Sequence, residues 1–237
     1  MEKLRIAEIF SSIQGEGSLV GVPSVFVRVS GCNLRCVWCD TPYASWNPEG
    51  PVMDVNEVVD AVLAADLSHV VITGGEPMLF DSTCELAQLL RDAGQHITIE
   101  TAGTRFLDLP CDLLSISPKL ANSAPPEDTP GGWHQRHEQS RLDYDVLGKL
   151  LKSYDYQLKF VVTGENPDEV EEIRDLLRRL DSSGEGILPS RIFLMPEGVD
   201  SSILSRRLGV LVSICMSNGW RLCPRLHIDL FGDTKGT

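Results

Sequence analysis

Val25-Phe26-Val27-Arg28-Val29-Ser30-Gly31-Cys32-Asn33-Leu34-Arg35-Cys36-Val37-Trp38-Cys39-Asp40-Thr41 runs from a buried-strand pattern straight into three cysteines. Apart from Arg28, its first five residues are β-branched or aromatic, which predicts a strand. Cys32, Cys36 and Cys39 follow with C-x3-C-x2-C spacing. Cysteines this close can wrap one inorganic cluster. Three thiolates on a [4Fe–4S] cluster leave one iron open for chemistry. A structural zinc site wants four ligands, and Cys84, Cys111, Cys215 and Cys223 are scattered. Cys36 and Cys39 also form a CxxC redox pair, a reading that gives Cys32 no role. The odd count of 7 cysteines and the lack of an apolar core after Met1 argue against disulfides and export. They point to the cytoplasm.

Outward from this stretch, strand and helix patterns alternate. Strands are predicted at Val25–Val29, 69–73, 96–100, Leu113–Ile116, Tyr156–Val162 and 191–195. Helices are predicted at 55–65, with Asp54 as N-cap, then at 82–93, Pro167–Leu180 and near Ser201–Asn218. The class is α/β, a parallel sheet with helical crossovers. About six units are too few for a closed eight-fold barrel, so an open, partial β/α barrel is expected. The 237 residues form one domain, with a loop or lid insertion at 120–145 and a C-terminal extension at 221–237. Asn122–Asp143 reads as a solvated loop, with a lid as the functional alternative. A net charge of −13 argues against direct contact with nucleic acid. No apolar run approaches the ~20 residues of a membrane span.

Sites in such sheets lie at the carboxyl ends of the strands. The cysteine loop, Thr73-Gly74-Gly75-Glu76-Pro77, Glu100-Thr101 and Ser117-Pro118-Lys119 all fall there. Paired glycines allow a backbone to approach a ligand and expose its amides. Gln14-Gly15-Glu16-Gly17 reads as a turn, or as polar groups that bind a ring edge. A lone arginine in an apolar strand is costly unless paired, and the Arg28 fork suits a carboxylate.

With the cysteine triplet, Thr73–Pro77 resembles the radical S-adenosylmethionine (SAM) enzymes. Gln14–Gly17, Cys32–Thr41, Thr73–Pro77, Ile99–Thr104, Ser117–Lys119, Gln157–Phe160 and Pro224–His227, in that order, are similar to the 7-carboxy-7-deazaguanine synthases. That resemblance implies a lyase contracting 6-carboxy-5,6,7,8-tetrahydropterin to 7-carboxy-7-deazaguanine, with loss of ammonia, towards queuosine and related 7-deazapurines. A 5′-deoxyadenosyl radical takes hydrogen from C6 and SAM is regenerated, while the protein positions the reactants. It further implies that Cys32, Cys36 and Cys39 hold a catalytic [4Fe–4S] cluster. Gln14, Gly15, Glu16, Arg28, Thr73 and His227 would then bind substrate. Trp38, Gly75, Glu76, Glu100, Ser117 and Lys119 would bind SAM. Thr41, otherwise a helix cap, would join a Mg2+ ion. A flavodoxin or ferredoxin donor and a homodimer are implied as well.

Ala102 departs from the Asn common after Glu-Thr, and the tail runs past His227 to Thr237. Two alternatives share the cysteines: a glycyl-radical activase, which needs neither Gln14–Gly17 nor Arg28, and a zinc-binding interaction module.

Overall fold

The computed structural model describes residues 2–181 and 186–237. Among the described residues, nine strands form one sheet: β1 (Lys3–Ile13), β2 (Pro23–Val29), β3 (Val52–Asp54), β4 (His69–Gly74), β5 (His96–Thr101), β6 (Leu113–Ile116), β7 (Tyr156–Val162), β8 (Ile192–Pro196) and β9 (Arg221–Leu222). Their order is β3-β1-β2-β4-β5-β6-β7-β8-β9. From β2 to β9 every pairing is parallel, while β1 runs antiparallel to both β2 and β3. The sheet is therefore mostly parallel and open, with β3 and β9 as its edges.

Except between β5 and β6, the crossovers are helical: α1 (Val55–Leu63), α2 (Ser82–Asp92), α3 (Trp133–Ser140), α4 (Tyr144–Ser153), α5 (Pro167–Leu180) and α6 (Ser201–Asn218), with α7 (Leu226–Phe231) following β9. Their apolar stripes cover the sheet. Val55, Val58, Val59 and Val62 of α1 and Ile173, Leu176 and Leu180 of α5 join Val27, Ile72, Ile99, Leu114 and Phe160 in one core. Asp54 starts α1 in a capping box, its amide donating to Glu57 at 2.9 Å. Among the described residues no helix is long and apolar enough to cross a membrane.

Two departures from the sequence reading matter for the site. The first is β1, which carries the chain to Ile13, where the sequence suggested only a turn before the first strand. Only Leu4 and Ile6 of β1 are fully buried, so its alternation is short and diluted by charge. The second lies in Asn122–Asp143, which contains α3 and is not simply solvated: His137 is 0% exposed. The polar sequence of α3 hides a helix held by contacts to the cysteine loop.

Candidate active site

The parallel register aligns the strand ends. Arg28 pairs with Thr73 and Val29 with Gly74; further along, Glu100 pairs with Ser115 and Thr101 with Ile116. The loops leaving these strands surround a cavity of about 510 Å3, within the range of small-molecule sites.

One wall is the cysteine loop. Cys32, Cys36 and Cys39 all line the cavity and none is in a disulfide. Cys32 Sγ accepts the Leu34 amide at 3.4 Å, and Cys39 Sγ lies 3.1 Å from Ser45 Oγ. Burial pushes the Cys32 thiol up to about 12 and the Cys36 thiol up to about 11. These thiols therefore become ligands only when a bound cation compensates the thiolate charge. The loop is fixed from below by Gly74 and Gly75. A Cβ on Gly74 would fall 2.1 Å from Val29 O, and one on Gly75 2.1 Å from Gly31 O. The glycines thus seat one strand end on the next, and Gly75 still faces the cavity.

The floor is a buried ion network. Lys159, in the middle of β7, pairs with Glu16 and with Glu100, the latter at 2.9 Å. Arg225 pairs with Glu16 at 3.2 Å, with Asp40 beside Cys39, and with Gly198 O. Gln14 donates to Glu100 at 3.4 Å. Burial by itself would raise the Glu16 carboxyl, but Lys159 and then Arg225 hold it well below the usual carboxylate range. Burial likewise disfavours charge on Lys159, which Glu100 and Glu16 overcome, so its ammonium persists to high pH. Glu16 is an ionised acceptor with His227 Nε2 4.0 Å away.

Across the cavity, Lys119 Nζ donates to Ser117 Oγ at 2.8 Å and sits 5.4 Å from the Trp38 ring centre. Thr41 Oγ1 is 3.8 Å from Cys39 Sγ. Arg28 is anchored by Glu8 at 2.6 Å.

Gln14, Glu16, Arg28, Trp38, Thr41, Thr73, Gly75, Glu100, Ser117, Lys119 and His227 thus share one cavity with the three cysteines. Gly15 and Glu76 stand outside it. Gly15 lets the C-terminal segment close in: its carbonyl accepts the Leu226 amide at 3.0 Å. Glu76 is fully buried, and its carboxylate accepts from Met78 N, Thr101 Oγ1 and Ala102 N at 3.0, 2.7 and 2.7 Å. It braces the loop after β5. Ala102 keeps this main-chain contact despite its departure from the common Asn.

The sequence reading gave no site role to Lys159, Arg225, Asp40 or Glu8. A signal existed for Lys159: it is a lone charge in Tyr156–Val162, as Arg28 is in β2. Tail residues Asp233 to Thr237, left open by the sequence, also line the cavity. Among the described residues, no three His, Cys, Asp or Glu side chains converge on a single-ion metal site.

Comparison with known proteins adds identity to this geometry. The Radical SAM superfamily matches residues 26–177. A 7-carboxy-7-deazaguanine synthase from Halobacterium salinarum is 43% identical over 240 residues, spanning 99% of this chain and 93% of the relative. One from Rhodopirellula baltica is 41% identical, covering 99% and 89%. The crystal structure of QueE from Escherichia coli superposes with a TM-score of 0.68 at 25% identity, over 95% of both chains.

Proposed function

From the premise that the chain belongs to the radical SAM superfamily and, within it, to the 7-carboxy-7-deazaguanine synthases, we propose how its cavity serves that reaction. The chain is a radical SAM enzyme of 7-deazapurine biosynthesis. It contracts 6-carboxy-5,6,7,8-tetrahydropterin to 7-carboxy-7-deazaguanine and releases ammonia. The glycyl-radical activase alternative is not favoured, since the full-length relatives carry the synthase name.

The donor set fits a [4Fe–4S] cluster: three free thiols share one cavity wall, and Cys32 and Cys36 are too deeply buried to ionise alone. Cys32, Cys36 and Cys39 hold it. When bound, the cluster with SAM supplies a hydrogen-abstracting carbon radical. Trp38, Gly75, Glu100, Ser117 and Lys119 hold SAM against that wall. Lys119 is the cation nearest the Trp38 face and suits a carboxylate.

Glu16 and Gln14 take the amino and lactam edge of the pterin. Glu16 suits this because it stays ionised and is pinned by two cations, so it meets a guanidine-like edge as a fixed acceptor. Arg28 takes the substrate carboxylate. Thr73 and His227 close the pocket, and the tail helps exclude water. Thr41 offers a hydroxyl to Mg2+ beside that carboxylate.

A flavodoxin or ferredoxin serves as donor. Seven unpaired cysteines suit the reducing cytoplasm. A homodimer has an apolar surface available on α6, where Met216 is 80% exposed.

The observation that carries this reading is the meeting of the three thiols and the Glu16 carboxylate in one cavity. The test is an anaerobic assay of reconstituted protein with dithionite, SAM, Mg2+ and the pterin, read by mass spectrometry. The expected result is 7-carboxy-7-deazaguanine without stoichiometric loss of SAM. SAM cleavage with the pterin untouched would reject the substrate assignment.

A further inference from the structure

Residues 122–137 accept three hydrogen bonds from the cysteine loop. Arg35 N–H donates to His137 Nδ1 at 3.1 Å, Val37 N–H to Ser123 O at 3.0 Å, and Trp38 Nε1–H to Asn122 O at 3.1 Å. The Arg35 guanidinium covers Trp133, 3.9 Å from its ring centre, while donating to Cys32 O and Leu34 O. The insertion therefore grips the loop at the peptides between the cysteines.

Two of the three acceptors are carbonyls that any sequence supplies. The third is a side chain with no exposed surface. Its partners fix its tautomer. A main-chain amide only donates, so Nδ1 is the acceptor. The Ser123 hydroxyl hydrogen goes to Leu120 O at 2.6 Å, so Nε2–H donates to Ser123 Oγ at 2.9 Å. Both ring nitrogens are satisfied by a neutral imidazole, and burial, which disfavours charge, keeps it neutral.

We propose that His137 is a positioning residue for the iron–sulfur cluster, holding the Arg35 peptide and so the separation of Cys32 from Cys36. This rests on the reading that the three cysteines hold the cluster. Without the Nδ1 acceptor, the part-buried Arg35 amide loses its partner, and the loop must distort to bring it to water. Polar partners behind a ligand typically set metal affinity within a factor of ten to a hundred.

The experiment compares H137N and H137Q in the full chain. An Asn side-chain oxygen reaches the position of Nδ1 and keeps the acceptor. A Gln side-chain amide reaches the position of Nε2, keeps the Ser123 contact and loses the acceptor. After anaerobic reconstitution with iron and sulfide, cluster loss to a chelator is followed by visible absorption and electron paramagnetic resonance. Amide hydrogen exchange at Arg35 is followed in the metal-free chain.

Wild type and H137N should release the cluster at similar rates and protect the Arg35 amide. H137Q should release it roughly 10–100-fold faster and expose that amide. Equal behaviour of H137Q and wild type, or equal failure of H137N and H137Q, would overturn the proposal. A wild-type chain that takes up no cluster would instead sink the reading of the cysteines, while Arg35 exchange would still decide whether His137 holds the loop.

Discussion

Arg28 Nε donates to Glu8 Oε1 at 2.6 Å across the β1–β2 pair, where the two residues are register partners. The same oxygen accepts the Tyr43 hydroxyl at 2.6 Å. Arg28 is thus held by its Nε edge, and among the described residues no other hydrogen bond or ion pair engages its fork. The arrangement leaves that fork, which lines the cavity, oriented as the proposed carboxylate contact needs. Replacing Glu8 by Gln leaves the guanidinium present but loosely aimed. We expect E8Q to raise KM for the pterin about tenfold, and R28A about a hundredfold, with the cluster assembling normally in both. Steady-state kinetics decide it: an unchanged KM in R28A removes Arg28 from the substrate site.

Lys159 sits between Glu16 and Glu100 with 4% of its surface exposed. Removing one partner of a buried ion network leaves uncompensated charge, which typically costs about 3–5 kcal/mol. Arg225 still faces Glu16 in K159M, so the lower end of that range is expected, about 3 kcal/mol. Urea denaturation of the metal-free chain measures it. A loss below about 1 kcal/mol would mean that the carboxylates find water when Lys159 is gone.

Two buried histidines set an acid limit. His69 bridges Ser24 Oγ at 2.6 Å and Thr98 Oγ1 at 2.9 Å between neighbouring strands. Burial, assisted by His96, lowers it to about 4, and burial lowers His137 to about 4. Both are depressed below the ordinary value of about 6.5. Between pH 6.5 and 4 the unfolded chain therefore binds protons that the folded chain refuses. The stability from each neutral ring is fully present above about pH 6.5 and is lost as pH falls towards 4, at up to about 1.4 kcal/mol per pH unit. Denaturation of the metal-free chain at pH 7 and pH 5 should show that decline, and H69N should reduce it. An identical slope in H69N would exclude His69 as a source.

The sheet was legible because its parallel strands are buried on both faces and so read as mainly apolar runs. Leu113–Ile116 and Tyr156–Val162 fall where the runs predict them. β1 was not legible, because Arg5 and Glu8 interrupt a strand whose only fully buried residues are Leu4 and Ile6. α3 was hidden for a related reason: Trp133–Ser140 has no apolar stripe, and its anchor is one buried histidine. At the site, the family resemblance named residues that the fold gathers around one cavity. Those that hold them, Glu8 behind Arg28 and Arg225 behind Glu16, are distant in sequence and meet them only through the fold. A charge in an apolar strand is a local signal; the partner that neutralises it is not.

Gly15 lies against His227, and that contact makes a sharp test of how the C-terminal segment closes the pocket. A Cβ at position 15 would fall 2.0 Å from His227 Nδ1 and 2.9 Å from its main-chain nitrogen. The ring could rotate away, but the main chain cannot move without pulling Leu226 N from Gly15 O, where it donates at 3.0 Å. Arg225, one residue earlier, pairs with both Glu16 and Asp40, so a shifted segment also disturbs the carboxylate proposed to take the pterin edge. The G15A backbone itself is unstrained, because no left-handed conformation is required there. The expected outcome is a cluster-loaded protein that binds SAM as wild type does but turns over pterin about a hundredfold more slowly, since misplacement by about 1 Å costs on that order. Cluster absorption and SAM affinity, measured beside kcat and KM, separate this from misfolding. Wild-type turnover in G15A would show that the segment from Arg225 to Phe231 is free to move, and that His227 takes no part in closing the site.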